Sequence, residues 1–368
     1  MAGAARAQLP PNESQLEQLL KLSAQGVGAW GPDGVGSCLG YLHRLYYLKR
    51  NPKMGEEQHK PLPMSLGTAL QDLLHCFTQL ADSKAAEQEQ VISTVSCCGD
   101  LQAAPVSLLH LLDTKADALD YSRMGWDDVR VLLAAFGHFG CGMHDQEEQG
   151  GMPQPFHLIK RVCDRARQLL EAGGPLPSPH ECRNICQSLA YLADGSNAPL
   201  LKDLAHRGRF GSSSSSMHQL WRAAQWLLQK LGQRLPASVD MTRLNSARLD
   251  SNEGTSPSDS QEQMQHELVL IMRSTGKLIA VSDCEHPLPG TFFKVDACVT
   301  NRYGKIIVIE FDGPTHFVAP FGGLNGATLW RNELLRMAGY TVLSVTSEEW
   351  NDKQNRRELL MRKLRDFL

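Results

Sequence analysis

The segment that most constrains the fold is Lys305-Ile-Ile-Val-Ile-Glu-Phe-Asp-Gly313. Ile306 to Ile309 are apolar on both faces of an extended chain, so this strand must be covered on both sides and belongs in the middle of a sheet. It also carries two acids. Side chains alternate along a strand, so Glu310 and Asp312 share a face. A carboxylate on a central strand is costly unless it is paired or sits at the strand end. Gly313 and Pro314 stop the strand there, and Thr315-His316 follow in a tight loop that sets an imidazole beside the acids. Upstream, residues 291–301 (TFFKVDACVTN) form a second strand candidate, joined through Arg302, Tyr303 and Gly304, a hairpin signal. The hairpin brings Asp296 to the neighbouring strand. The same acids have a purely structural reading, in which they bind backbone N–H groups of the hairpin and the following loop.

Around this pair the order of elements is legible. Residues 262–275 read as a helix, 277–283 as a short strand, 324–337 as a helix ending near Gly339, 341–350 as a strand and 353–368 as a closing helix. The order is α-β-β-β-α-β-α. A helical crossover from one strand to the next most easily makes them parallel neighbours. The expectation is a small α/β domain with a mixed sheet.

The preceding region reads as helices and little else from about 15 to 235. Apolar residues recur at helical spacing in 34–50, 64–82, 126–142, 156–172, 181–194 and 217–232, with Trp221 and Trp226 expected in a core. Pro175, Pro177 and Pro179 separate two of these segments, and Ser178 is a plausible cap. Large apolar residues beside small ones occur near Phe77, at Phe136-Gly137-His138-Phe139-Gly140 and at Leu189 to Asp194. That pattern fits a degenerate helical repeat, and it also fits ordinary packing of an all-α region. Polar stretches punctuate the chain: a Ser-rich break at 207–217, and 246–261, which has almost no apolar content. The expected organisation is 1–14 unstructured or a transit-peptide remnant, 15–245 helical and repeat-like, 246–261 a linker and 262–368 the α/β domain.

Bulk properties limit the possibilities further. The 368 residues are 42% hydrophobic and 21% charged, which fits a multi-domain soluble protein rather than a disordered chain. No uncharged apolar run is long enough to span a bilayer as a helix. The net charge of −3 provides no global attraction for nucleic acid, so such a surface would have to be local. Ten cysteines at irregular spacing indicate reduced thiols in an intracellular compartment. Cys182 and Cys186 lie one helical turn apart near His180 but lack the second ligand pair of a zinc site. The alanine-rich start, with no acid before Glu13, faintly resembles the end of an organellar transit peptide.

Two longer runs then become specific. VIEFDGPTHF, followed by LNGATLWRNELLRMAGYTVLSVTSEEW and a basic terminal helix, resembles the RAP domain. The shared positions are Glu310, Asp312, Gly313, Pro314, His316 and Phe317; Thr328, Arg331 and Leu335; and Glu349 with Trp350. The resemblance implies RNA binding in a mitochondrion or plastid, with roles in RNA processing, stability, translation or ribosome assembly. RNA and mitochondrial ribosomal proteins are the implied partners, with an rRNA-binding component or assembly factor of the mitochondrial ribosome as one such role. RAP domains also resemble restriction-endonuclease-like folds, whose active members carry D…(D/E)-x-K on the hairpin. Asp296 and Glu310 fit the first two places, but Asp312 stands where the lysine belongs.

Two readings follow. In the first, the chain binds RNA without cutting it, needs no cofactor, and uses Lys294, His316, Thr328, Arg331, Arg336, Arg356 and Arg357, with Arg362, Lys363 and Arg365 nearby. In the alternative it is an endoribonuclease, with Mg held by Asp296 and Glu310. Asp312 and His316 then complete its site, and Lys294, Lys305 or Arg331 replaces the missing lysine. Trp350 and Phe317 read as core anchors rather than stacking platforms.

Overall fold

The computed structural model describes residues 88–100, 106–141, 155–207, 214–242, 244–245, 257–289, 291, 293–313, 316–318, 323–352 and 355–368. The helices expected at 34–50 and 64–82, the first member of the expected repeat near Phe77 and the N-terminal segment lie outside these residues. The chain divides into two compact units, Met1–Phe210 with Phe317–Leu329, and Gly211–His316 with Trp330–Leu368.

The first unit is helical: α1 Gln88–Asp100, α2 Val106–Lys115, α3 Trp126–His138, α4 Phe156–Glu171, α5 Pro179–Leu192 and α6 Ala198–Arg207. Of these, α3, α4 and α5 fall where periodicity places them. Helix α5 starts on a capping box: Ser178 Oγ accepts from Glu181 N–H and the Glu181 carboxylate accepts from Ser178 N–H, with Pro179 at the first helical position. Small residues do permit a close approach, because a Cβ on Gly137 of α3 would sit 3.3 Å from the Ser188 backbone of α5. The described cysteines are free, and burial pushes the thiols of Cys141, Cys163 and Cys182 up to about 12. Cys182 and Cys186 each donate to a backbone carbonyl, of Pro177 and Leu201, as structural thiols do.

The second unit opens with α7 Ser214–Leu231 and α8 Asp259–Thr275. It holds a four-stranded sheet ordered β1-β4-β5-β8, where β1 is Leu278–Val281, β4 Ala297–Asn301, β5 Ile306–Asp312 and β8 Thr341–Thr346. β1 and β4, and β4 and β5, are antiparallel; β5 and β8 are parallel. The sheet is mixed, and β5 is interior, as its apolar faces require. A two-stranded ribbon is added by β2 His286–Pro287 with β3 Lys294–Val295; a second ribbon, β6 Phe317–Val318 with β7 Gly323–Leu324, belongs to the Phe317–Leu329 part of the first unit. The crossover helix is α9 Gly326–Met337, and α10 Ser347–Trp350 and α11 Arg356–Leu364 close the domain.

One face of the sheet is sealed by Met264, Leu268 and Ile271 of α8 and by Leu359, Leu360 and Leu364 of α11, packed with Ile307, Ile309, Val345 and Trp350. On α7, Trp221 lies 5.6 Å from Phe293 and 6.3 Å from Trp330 of α9, ring centre to centre, and Lys230 pairs with Glu333 at 2.7 Å. These contacts group α7 with the second unit, whereas its sequence pattern alone grouped it with the helices before it.

Several boundaries differ from expectation, among them the start of α7 at Ser214 inside the Ser-rich break. The 291–301 strand is broken at Asp296 into β3 and β4, because that side chain turns inward to hydrogen-bond. Helix α8 begins at Asp259 inside the polar stretch, where Ser258 and Gln261 form a capping box. The strand expected over 341–350 ends at Thr346, which caps α10 through Glu349. The closing helix starts at Arg356, later than expected.

Candidate functional site

The three acids singled out by the sequence are all buried, Asp296 at 7%, Glu310 at 2% and Asp312 at 1% exposure. Glu310 and Asp312 lie on the face of β5 opposite the α8–α11 core, as strand alternation requires. Each carboxylate is engaged within the fold. Asp296 accepts the Phe311 N–H at 2.6 Å and the Gln261 amide at 2.5 Å, locking the bend before β4 to both β5 and α8. Asp312 accepts from the Ser344 hydroxyl of β8, and its other oxygen lies 2.8 Å from His316 Nδ1. His316 thus closes the loop after β5 onto the strand end.

Glu310 meets Arg331 of α9 at 2.9 Å, while the same guanidinium nitrogen donates to the Lys294 carbonyl. Neither Glu310 oxygen accepts a well-aligned hydrogen bond from the described residues, so its partner is the Arg331 charge. Burial pushes the Glu310 carboxyl well above the usual range and Arg331 pulls it back only in part, with Asp296 and Asp312 adding to the rise. Burial likewise raises Asp296 and Glu285. Burial of Arg331 opposes its charge, but the four surrounding carboxylates outweigh this and hold its pKa above the ordinary value.

This arrangement does not fit a divalent cation. A metal needs converging oxygens that are free to coordinate, and here a guanidinium occupies the place beside Glu310 where such an ion would sit. Among the described residues, no three of His, Cys, Asp or Glu converge as ligands. Arg331 pairs with Glu310 and donates to the Lys294 carbonyl, tying α9 to β3 and β5.

Of the other candidates, Lys294 adjoins the network, since its charge opposes the rise of the Glu285 carboxyl and its carbonyl accepts from Arg331. Thr328 stands in the first turn of α9, its N–H bound to the Asn325 side chain. Arg356 stacks over Trp350 at 4.7 Å and donates to the Trp350 carbonyl and to Gln263. Arg357 pairs with Glu267 at 2.8 Å, and Lys363 with Glu349. Arg336, Arg362 and Arg365 are exposed, and Lys294 is half-buried. Glu349 is held below the ordinary carboxylate range: burial opposes its charge, but Lys363 and the Thr346 N–H prevail. Trp350 is a core anchor at 1% exposure. Gln261, Glu285 and Ser344 belong to the acid network but gave no sequence signal. Gln261 sits at the third position of α8, where its Oε1 accepts from the Ser258 N–H while its Nε2 reaches Asp296.

The model of the RAP domain family matches residues 309–364, from the second half of β5 through α11. The chain therefore carries a C-terminal RAP domain, and with it a general assignment to RNA binding. The sheet extends beyond the match, because β5 needs β4 and β1 to complete it. No curated protein matches the chain. No described helix is long and apolar enough to cross a membrane.

Proposed function

We propose that this protein binds RNA through its C-terminal unit and acts in organellar RNA metabolism, as an rRNA-binding component or assembly factor of a mitochondrial ribosome. The observation that carries RNA binding is the RAP match over 309–364. The acid network supports binding over cleavage: its carboxylates are consumed by Arg331, Gln261, the Phe311 N–H, Ser344 and His316. Exposed Arg336, Arg362 and Arg365 are available for phosphate contacts, each releasing about one counterion and making binding salt-sensitive. The organellar setting rests on the resemblance to the RAP domain family. A plastid is the alternative compartment.

Sedimentation of organelle lysate on a sucrose gradient, with and without RNase, tests the ribosomal part. Co-migration with a ribosomal subunit is the expected result. Light fractions that shift only on RNase treatment would move the protein to processing or stability of free transcripts.

A further inference from the structure

We infer that the tip of the β4–β5 hairpin is a contact for single-stranded RNA, with Tyr303 stacking on a base and Lys277, Arg302 and Lys305 facing the backbone phosphates. The assignment rests on the RNA-binding reading above and gives it a location. Tyr303 is 73% exposed, the most exposed of the large hydrophobic side chains in the described residues. The turn beneath it is rigid: Asn301 Oδ1 accepts the N–H groups of both Tyr303 and Lys305 at 3.0 Å, and the Asn301 amide donates to the Phe367 carbonyl. Gly304, at φ +77°, supplies the left-handed step. An exposed aromatic on a fixed turn loses little freedom on binding, unlike one on a floppy loop.

The cations gather around that ring. The Arg302 guanidinium lies 4.9 Å from the ring centre and donates to the Tyr303 hydroxyl. Arg302 N–H bonds the Lys277 carbonyl, which brings Lys277 from the start of β1 to the same tip. Lys305 follows the turn, and its ammonium lies over the Phe367 ring. Lys277, Arg302 and Lys305 are all exposed. Beside them, the pairing of β1 with β4 slips between Leu278 and Ala280, and the intervening Ile279 is 61% exposed. A bulge of this kind re-aims a side chain. It adds an apolar contact next to the tyrosine.

Charge favours a nucleic acid as the occupant. The adjoining turn Arg365–Phe367 carries one acid, Asp366, and one base, Arg365. Glu310 and Asp312 lie four and six residues along β5 from Ile306, about 13 and about 20 Å away at roughly 3.3 Å per residue. Both exceed the Debye length of about 8 Å at physiological salt. An exposed aromatic set among cations is the common design for unpaired bases, since every base has a face to stack and every linkage a phosphate.

The test uses the full chain with a 4-thiouridine-bearing oligouridylate, an oligoadenylate and a duplex RNA of equal length. Ultraviolet crosslinking and peptide mapping should place an adduct at Tyr303. Tyr303→Ala should weaken binding of both single strands by about tenfold and leave duplex binding unchanged, while Tyr303→Phe keeps near-normal binding. Lys277→Ala and Lys305→Ala should each lower the salt slope by about one. Unchanged single-strand affinity in a folded Tyr303→Ala protein overturns the assignment alone. Loss of a protein partner in that variant, with RNA affinity intact, reassigns the tip to protein docking and overturns it too. If the unaltered chain binds none of the three RNAs, the RNA-binding reading itself fails.

Discussion

Replacing Arg331 with Met removes the cation that pairs with Glu310 and acts on Asp296 and Glu285. Breaking a buried ion pair from one side costs about 3–5 kcal/mol, because the charge left behind is neither solvated nor paired. Glu310 is 3% exposed at the side chain but Arg331 is 26% exposed, so some water can enter the vacated space. That places the expected loss near the low end, about 3 kcal/mol, or roughly a hundredfold in the folding equilibrium. The Lys294 carbonyl also loses its donor, which loosens β3. Glu310→Gln in the Arg331→Met background removes the stranded charge and should return about half the loss. The assay is urea unfolding followed by tryptophan emission, since Trp221, Trp226, Trp330 and Trp350 all lie in the second unit. An Arg331→Met protein within about 0.5 kcal/mol of the parent, a change typical of an ordinary surface position, would refute the argument. So would a double variant no more stable than Arg331→Met.

Other outcomes follow from the same contacts. Burial raises Glu310, Asp296 and Glu285 above their unfolded values, so the native state holds protons that the unfolded state has released. Their contribution to stability is therefore fully present below about pH 4 and is lost as pH rises through the folded pKa values. The urea midpoint of Glu310→Gln should show a shallower decline over that range than the parent. Gly304→Ala puts a Cβ on a residue at φ +77° and should cost about 1 kcal/mol by thermal melting. Gly304→Asn should cost less. Trp350→Ala empties a core site and removes the ring under Arg356, for a loss of about 3–5 kcal/mol.

The sheet was legible because its information is local and periodic. The apolar run of β5 demanded a central strand, and the Asn301–Lys305 turn chemistry set the hairpin register. Helices α3, α4 and α5 announced themselves by spacing, but α6 did not. It is only ten residues long, too short for its spacing to stand out. The acids were found because carboxylates are conspicuous on a buried strand. Arg331 and His316 were named beside them, but Gln261 and Ser344 were not, because they arrive from α8 and β8 and only the folded chain brings them together. Arg356 and Arg357 looked like free cations on a basic helix, yet they are spent against Trp350, Gln263 and Glu267. Tyr303 was hidden for the opposite reason: in sequence it is one letter of a turn, and its exposure belongs to the structure.

The most direct test mixes the full chain with labelled single-stranded RNA across a salt series, once with Mg and once with EDTA. The account predicts a complex whose log affinity falls linearly with log salt, with no gain in affinity from Mg and the RNA recovered intact. Absence of binding even at low salt would contradict it, and so would Mg-dependent cleavage that Glu310→Gln abolishes.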